Sequence, residues 1–283
     1  MVKVLQSGLY STIQDLGRFG FQHLGVPCSG VMDQHSARMA NLLLANDANC
    51  AVLELTGNGP KLEFTSNTNI VITGANMLPM INDNSVLNDS VINIKGNDIL
   101  SFGKRVYGLR SYIAVKGGFK TKAVLGSRSM YSKITKESTI KRGDYLPIAD
   151  CDVLLEPNLA KLKVPNIDYE SKVINVFKGP EFDLLNISTI KKLLEKEFKI
   201  SNSSNRMAYS LNESIENSLN SILTSVVIPG TVQLTPSGQL IILMRDCQVT
   251  GGYPRVLQLS EESINKLSQR SAGNSIKFRL KAQ

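Results

Sequence analysis

The sequence predicts a mainly β protein with a few short helices, and three features point to it. Short apolar, β-branched runs recur along the chain, bounded by Gly, Asn, Asp and Pro, as strands are. Polar clusters such as Asn82-Asp83-Asn84 and Gly96-Asn97-Asp98 supply turns between neighbouring runs. The runs lie too close together for a helix between each pair. An antiparallel barrel or sandwich therefore follows more naturally than a parallel α/β sheet.

In chain order, strands are expected over 50–55, 70–73, 91–94, 112–115, 173–177, 240–244 and 276–280. Three helices interrupt them. The first runs over 33–45, with Ser36, Met39, Ala40 and Leu43 on one face, Asp33 as N-cap and Asn46-Asp47 as the stop. The second covers 188–198 and carries Ile190, Leu193, Leu194 and Phe198. The third follows Ser260, where Glu261 and Glu262 suit the positive end of the helix dipole and Leu259 and Ile264 can form a staple across the cap. Pro157 and Pro165 mark a linker over 156–170, dividing the chain into 1–160 and 171–283. A length of 283 residues, 42% hydrophobic, suits one large domain or two of ordinary size. A faint echo of Gly59-Pro60-Lys61-Leu62-Glu63-Phe64 in Gly179-Pro180-Glu181-Phe182 hints at related halves.

Composition narrows the function classes. The apolar start at Met1-Val2-Lys3-Val4-Leu5 reaches Gln6-Ser7 at once, without the h-region of a signal peptide. No apolar run approaches the ~18 residues of a membrane span. A soluble, cytoplasmic protein with no membrane partner is expected. Cys28, Cys50, Cys151 and Cys247 are scattered, so reduced thiols are expected. His23 and His35, the two histidines, show no metal-ligand spacing, and no metal site is expected. Walker A, Gly-x-Ser-x-Gly and Met-Lys-Met biotin-attachment patterns are absent, and no pattern pairs Cys28 with a histidine base.

Charge is unevenly placed. The chain carries +8, while 104–142 holds eleven cations against Glu137 alone, a net +10. Three readings fit: a solvated basic surface, a face for an anionic substrate or acidic partner, or a nucleic-acid surface with Tyr107, Tyr112, Phe119 and Tyr131 interleaved.

Three segments look built for a site. Across 8–33, glycines allow close backbone approach, and Ser29-Gly30 leads into a helix N-terminus that suits an anion; a capped helix behind a tight loop reads equally well. In Leu125-Gly126-Ser127-Arg128-Ser129, an arginine between two hydroxyls suits a carboxylate or phosphate, or it is a solvated loop. Across 227–254, a strand delivers Asp246, Gln248 and Thr250 to a Gly251-Gly252 turn, where Asp246 could act as general base or orient a water.

Taken in order, the motifs are specific. Gln14-Asp15-Leu16-Gly17-Arg18, Gly25-Val26-Pro27-Cys28-Ser29-Gly30-Val31-Met32-Asp33, Leu125-Gly126-Ser127-Arg128-Ser129, Ser204-Asn205-Arg206-Met207 and the run Asp246 to Pro254 resemble the KipA family, the C subunits of 5-oxoprolinase. Val249 stands where relatives often carry threonine, so a hydroxyl there is not required. The family is similar to the second half of the carboxyltransferase region of urea carboxylases. The resemblance implies cyclophilin-like β-barrels, two in this chain. It also implies two partners, a KipI-like B subunit and the 5-oxoprolinase A subunit, with 5-oxoproline hydrolysed to glutamate at the expense of ATP (with Mg at the level of the complex). Neither attached biotin nor a nucleic-acid partner is implied. By motif match, Asp33, Arg128, Arg206 and Asp246 are the expected catalytic residues. Ser29, Gly30, Asn205, Gln248, Thr250, Gly251 and Gly252 are the expected substrate-binding residues. Arg128 and Arg206 would hold a carboxylate or phosphoryl group, and Asp33 and Asp246 would manage protons or a metal-bound phosphate. Two alternatives stay open: a regulatory protein that binds a KipI-like kinase inhibitor, and the carboxyltransferase component of a biotin-dependent, urea carboxylase-like enzyme.

Overall fold

The computed structural model describes residues 1–149 and 171–281. They form two compact units, Met1–Arg18 with Ser29–Ile167 and Phe19–Cys28 with Asp168–Gln283. The linker expected over 156–170 and Cys151 lie outside the described residues.

In the first unit, one sheet orders the strands Tyr10–Gln14, Val52–Thr56, Tyr107–Val115, Thr68–Asn76 and Val91–Ile94. Its pairings are antiparallel, with Ile13 opposite Leu53 and Ile113 opposite Ile72. Side chains alternate between faces with period two. Leu53, Ile70, Ile72, Ile113 and Val115 enter a core shared with Val2, Val4, Leu62 and Phe64 of the second sheet. The intervening Val52, Val71, Tyr112 and Ala114 pack on the other side with Ala37, Ala40 and Leu44, in and just beyond a helix. Both faces of the sheet are thus covered, which is why its strands read as unbroken apolar runs. Each large side chain so buried contributes about 1.5–3 kcal/mol of transfer free energy. The second sheet has six strands, including Val2–Gln6, Lys61–Phe64 and Ile99–Phe102. The turns are those read from sequence: Asn82 and Asp83 (φ 47° and 65°) close one hairpin, and Asn97 (φ 72°) bends another.

Among the described residues there are three α-helices: α1, Gln34–Leu43; α2, Ile187–Glu195; and α3, Glu261–Ser268. Their N-caps are Asp33, Asn186 and Ser260, each accepting from the backbone N–H three residues on. The second helix stops short of the expected Phe198. Lys196 is already extended, and Phe198 joins the strand Phe198–Lys199, fully buried opposite Ile276. Tertiary burial overrides the local helical pattern there.

The second unit is a nearly closed barrel. Seven strands run in the order Phe198–Lys199, Ser275–Leu280, Val173–Lys178, Arg255–Leu259, Thr231–Leu234, Gln239–Leu243 and Ala208–Ser214. Val173–Lys178 and Ser275–Leu280 pair in parallel, and the other pairings are antiparallel. A bridge between Ile200 and Leu211 joins the two ends of this order, so the sheet curls back on itself. Beside it, Ser225–Val226 pairs with Thr250–Gly251. The sequence echo does not extend to conformation, since Phe64 ends a strand and Phe182 opens a 3-10 turn. Among the described residues, no helix is long and apolar enough to cross a membrane.

Candidate functional site

The first two sequence segments meet in the first unit, and Asp15 joins them. The strand Tyr10–Gln14 ends one residue before it, so its carboxylate emerges where the ladder stops. That carboxylate is 5% exposed and collects four donors. Its Oδ1 accepts from the Gly17 N–H at 3.0 Å and from the Ser127 and Ser129 hydroxyls at 2.7 Å each. Its Oδ2 accepts from the Arg128 N–H at 2.6 Å. Hydrogen bonds to a charged acceptor are stronger than neutral ones, so the four together tie the Ser127–Ser129 turn to this strand end. Arg18, fully buried, grips the same loop from its other end, donating to the Val124 and Ser129 carbonyls at 3.0 and 2.8 Å.

Local geometry makes this docking work. Leu125 and Gly126 both take the left-handed conformation (φ 51° and 75°), and Val124 and Ser127 exchange backbone hydrogen bonds across them. Such a turn reverses the chain within two residues and presents Ser127, Arg128 and Ser129 to Asp15. Gly30 (φ 93°) lies against Leu16 and Gly17, where an added Cβ would stand 2.9 Å from backbone atoms. No other residue fits there without displacing the loop. Next door, the Val31 N–H donates to the Asp15 carbonyl at 2.9 Å. Ser29 is buried at φ 56°, and its hydroxyl has no hydrogen-bond partner among the described residues.

Arg128 lines two clefts. One, of about 240 Å³, is bordered by Asp15, Asp47, Asn49, Lys120 and Arg128. It offers cations beside a carboxylate and an amide, a set suited to orienting a small charged ligand. Asp15 is saturated by its four donors and acts there as a scaffold. The Arg128 guanidinium also donates to the Thr121 carbonyl, which fixes its direction.

Asp33 sits elsewhere in this unit and is fully buried. Its two oxygens accept from the Ser36 N–H at 3.1 Å and the Ser36 hydroxyl at 2.7 Å, capping α1. The Asp33 N–H donates to the Tyr112 hydroxyl at 2.8 Å. Burial pushes that phenol well above its usual range, reinforced by the nearby Glu54 and Asp33 charges. Glu54 is buried in turn, accepting from the Met32 N–H at 2.7 Å and facing the Arg110 Nε at 3.8 Å. Tyr112 and Phe119 are core residues, 0% and 1% exposed, so neither offers a stacking face to a nucleic-acid base.

In the second unit, Arg206 and Asp246 form a buried, two-pronged ion pair. Nε reaches Oδ2 at 2.7 Å and Nη2 reaches Oδ1 at 3.1 Å, with side chains 6% and 8% exposed. The Asp246 N–H also donates to the Arg206 carbonyl at 3.0 Å. Asn205 is exposed and shapes the turn before Arg206, its Oδ1 accepting from the Met207 N–H at 2.8 Å. Gln248 is half-buried and Thr250 exposed. An added Cβ on Gly251 would meet the Gln233 side chain at 2.5 Å, and the Gly252 carbonyl accepts from the Ile222 N–H at 2.9 Å. Burial, with the Cys28 and Asp246 charges adding to it, pushes the Cys247 thiol up to about 12, so this cysteine is not a nucleophile at neutral pH. A second ion pair joins Arg255 to Glu181, with Nη2 to Oε1 at 2.8 Å. Hydrogen bonds from Arg255 hold the Glu181 carboxyl below its usual range.

The structure thus brings Gly30 and Arg128 to the Asp15 loop and pairs Arg206 with Asp246, while the Ser29 hydroxyl meets none of them. Asp33 belongs to a helix cap. Sequence reasoning brings out the motif around Asp15 and Arg18 without selecting either. The hydroxyls flanking Arg128 are the available signal, since two serines and an arginine in one turn call for a carboxylate. Glu54 and Arg110 give no signal, each being one charge inside an apolar run.

Fold and site define a mainly β protein of two units, one a barrel; in the first, the buried carboxylate of Asp15 holds the Arg128 backbone beside a small polar cleft, and in the second Arg206 is paired with Asp246. The chain belongs to the carboxyltransferase-domain family, whose model "Carboxyltransferase domain, subdomain A and B" matches residues 24–280. It is 32% identical over 284 residues to the C subunit of 5-oxoprolinase from Escherichia coli (strain K12), covering 98% of this chain and 90% of that protein. It is 28% identical to the urea amidolyase of Lachancea kluyveri over 98% of this chain but 17% of that enzyme. Among solved structures, the crystal structure of TTHA0988 superposes with a TM-score of 0.88 at 26% identity, covering 98% of this chain and 55% of that one. The chain therefore spans about half of TTHA0988 and a small part of the amidolyase.

Proposed function

We propose that this chain is the C subunit of an ATP-dependent complex that opens 5-oxoproline to glutamate, working with a KipI-like B subunit and an A subunit. The observation that carries this reading is the overlap with the Escherichia coli 5-oxoprolinase C subunit, which takes in nearly the whole of both chains. The geometry of the Arg128 cleft supports it. 5-Oxoproline carries a carboxylate and a lactam, and the cleft offers Arg128 and Lys120 to the first and Asn49 to the second. In this reading Arg128, aimed by Asp15, holds the substrate carboxylate and neutralises charge as the ring opens. Four cations that border the two clefts, Lys120, Lys122, Arg128 and Lys136, come from the basic stretch 104–142, which favours a small anion over nucleic acid as its partner. Among the described residues, no three or more His, Cys, Asp or Glu side chains are grouped to hold a metal ion. In this reading ATP, with its magnesium, acts at the level of the complex.

The test is co-expression with the A and B subunits and an assay for ATP-dependent glutamate release. Turnover is expected from the three together and none from this chain alone. An Arg128→Ala complex should lose about tenfold or more. Robust turnover by the isolated chain, or none by the assembled three, overturns the proposal.

The family model and the likeness to urea amidolyase favour a second reading, a carboxyltransferase component that takes its carboxyl group from a biotin carried elsewhere. Carboxylation of an amide acceptor that avidin abolishes would select it.

A further inference from the structure

Arg128 also borders a second cleft, of about 440 Å³, on the stretch that follows the strand Tyr107–Val115. Its floor is Val124, Met130 and Ile134; its rim is Lys122, Arg128 and Lys136, opposed by the single carboxylate of Glu137. Lys136 and Glu137 approach to 3.6 Å, but the lysine side chain is 92% exposed, so that pair neutralises little of the rim. Thr121 lines the same cleft, and its buried hydroxyl has no hydrogen-bond partner among the described residues. That hydroxyl is closed off from solvent, so the charged contacts of the cleft are those of the rim.

We propose that this cleft is a second binding site, for a small monocarboxylate with a compact apolar body. The apolar floor accepts the body, the volume falls in the ordinary range for small-molecule sites, and the carboxylate meets Lys122, Arg128 and Lys136. A fully polar anion would leave Val124, Met130 and Ile134 uncovered, and a neutral apolar molecule would leave the cationic rim unanswered. Because Arg128 borders both clefts, an occupant here competes for the guanidinium that the smaller cleft uses. The site itself stands apart from the 5-oxoprolinase reading, and only its effect on turnover rests on that reading.

The experiment is isothermal titration of the full chain with hexanoate, and with hexanamide as the neutral probe of the same shape. Hexanoate should bind saturably and at least about tenfold more tightly than hexanamide, the margin expected of a charge-assisted contact. Ile134→Glu, which places a like charge on the floor, should abolish binding. Lys136→Glu, on the exposed rim, should weaken it several-fold while leaving the circular dichroism spectrum unchanged. If Ile134→Glu fails to fold, Lys136→Glu and the hexanamide comparison decide. Equal binding of the two probes, hexanoate binding unchanged in Lys136→Glu, or no saturable binding sinks the proposal. In the assembled complex, hexanoate should lower turnover of the wild type more than that of Lys136→Glu, and equal inhibition of both removes the coupling through Arg128. A complex without 5-oxoprolinase activity leaves the binding result standing and refutes only the functional reading.

Discussion

Asp15 holds Arg128 by its backbone rather than by its charge: the Asp15 Oδ2 accepts the Arg128 N–H at 2.6 Å, while the guanidinium donates to the Thr121 carbonyl. The arginine is therefore aimed without being neutralised by Asp15. A carboxylate that met the guanidinium directly would cancel the charge that a ligand needs.

Asp15→Ala should destabilise the chain by about 3 kcal/mol, because two buried hydroxyls and two backbone N–H groups lose their common acceptor. Asp15→Asn keeps the shape but replaces one oxygen with a donor, so it should cost less in stability yet still loosen the loop. Urea unfolding of the two variants at equal m-value checks the order. An alanine variant as stable as the wild type would show that the four bonds are replaced by water.

The strands around Leu53 and Ile113 were legible in the sequence as short apolar, β-branched runs, but their alternation between one core and α1 was not, because a run covered on both faces is apolar throughout. The caps at Asp33 and Ser260 and the turn at Asn82-Asp83 were legible too. The bridge from Ile200 to Leu211 that closes the barrel was not legible, nor was the membership of Phe19–Cys28 in the second unit. Both depend on partners distant in sequence, for which no local pattern exists. Phe198 shows the same limit from the other side, as its helical spacing yielded to a place opposite Ile276. At the site, residue types marked Arg128 and Asp246 as polar groups in unusual company, but what each one touches is a property of the folded chain alone.

Glu181 provides a pH test. Its folded-state pKa is lowered, first by the hydrogen bonds from Arg255. Such a group contributes stability that is fully present above the unfolded pKa, about 4.3 for Glu, and lost as pH falls through the lower folded value. The wild type should therefore melt above Glu181→Gln at pH 7, with the gap closing on acidification below about pH 4. A gap that stays constant across that window would place the benefit of Glu181 in packing.

Cys247 should resist alkylation. With its thiol pushed up to about 12 and 4% exposure, almost no accessible thiolate exists at pH 8. Iodoacetamide followed by peptide mass spectrometry should label the half-buried Cys28 and Cys50 first and Cys247 only on unfolding. Early labelling of Cys247 would mean that the strand end around it opens in the native state.

Arg206 and Asp246, selected from sequence as separate catalytic groups, are bound to each other, and this changes what their removal should do. The two meet through two charge-assisted bonds at 6–8% side-chain exposure, so deleting one strips a buried charge of the partner that meets it there. Arg206→Ala and Asp246→Ala should each lose roughly 3–5 kcal/mol of stability, well beyond the effect of a solvent-facing site residue. The double variant removes both charges of the pair together and should cost less than the sum of the singles. Denaturant unfolding of the four proteins gives the coupling directly. Activity in the assembled complex then separates two roles. If the pair only braces the turn, Arg206→Lys, which keeps the charge but loses the fork, should recover turnover in step with stability. If Arg206 also meets the ligand, Arg206→Lys should regain stability while turnover stays low. Additive single-variant costs would show instead that the two side chains are solvated independently, and the pairing would lose its standing as a structural element.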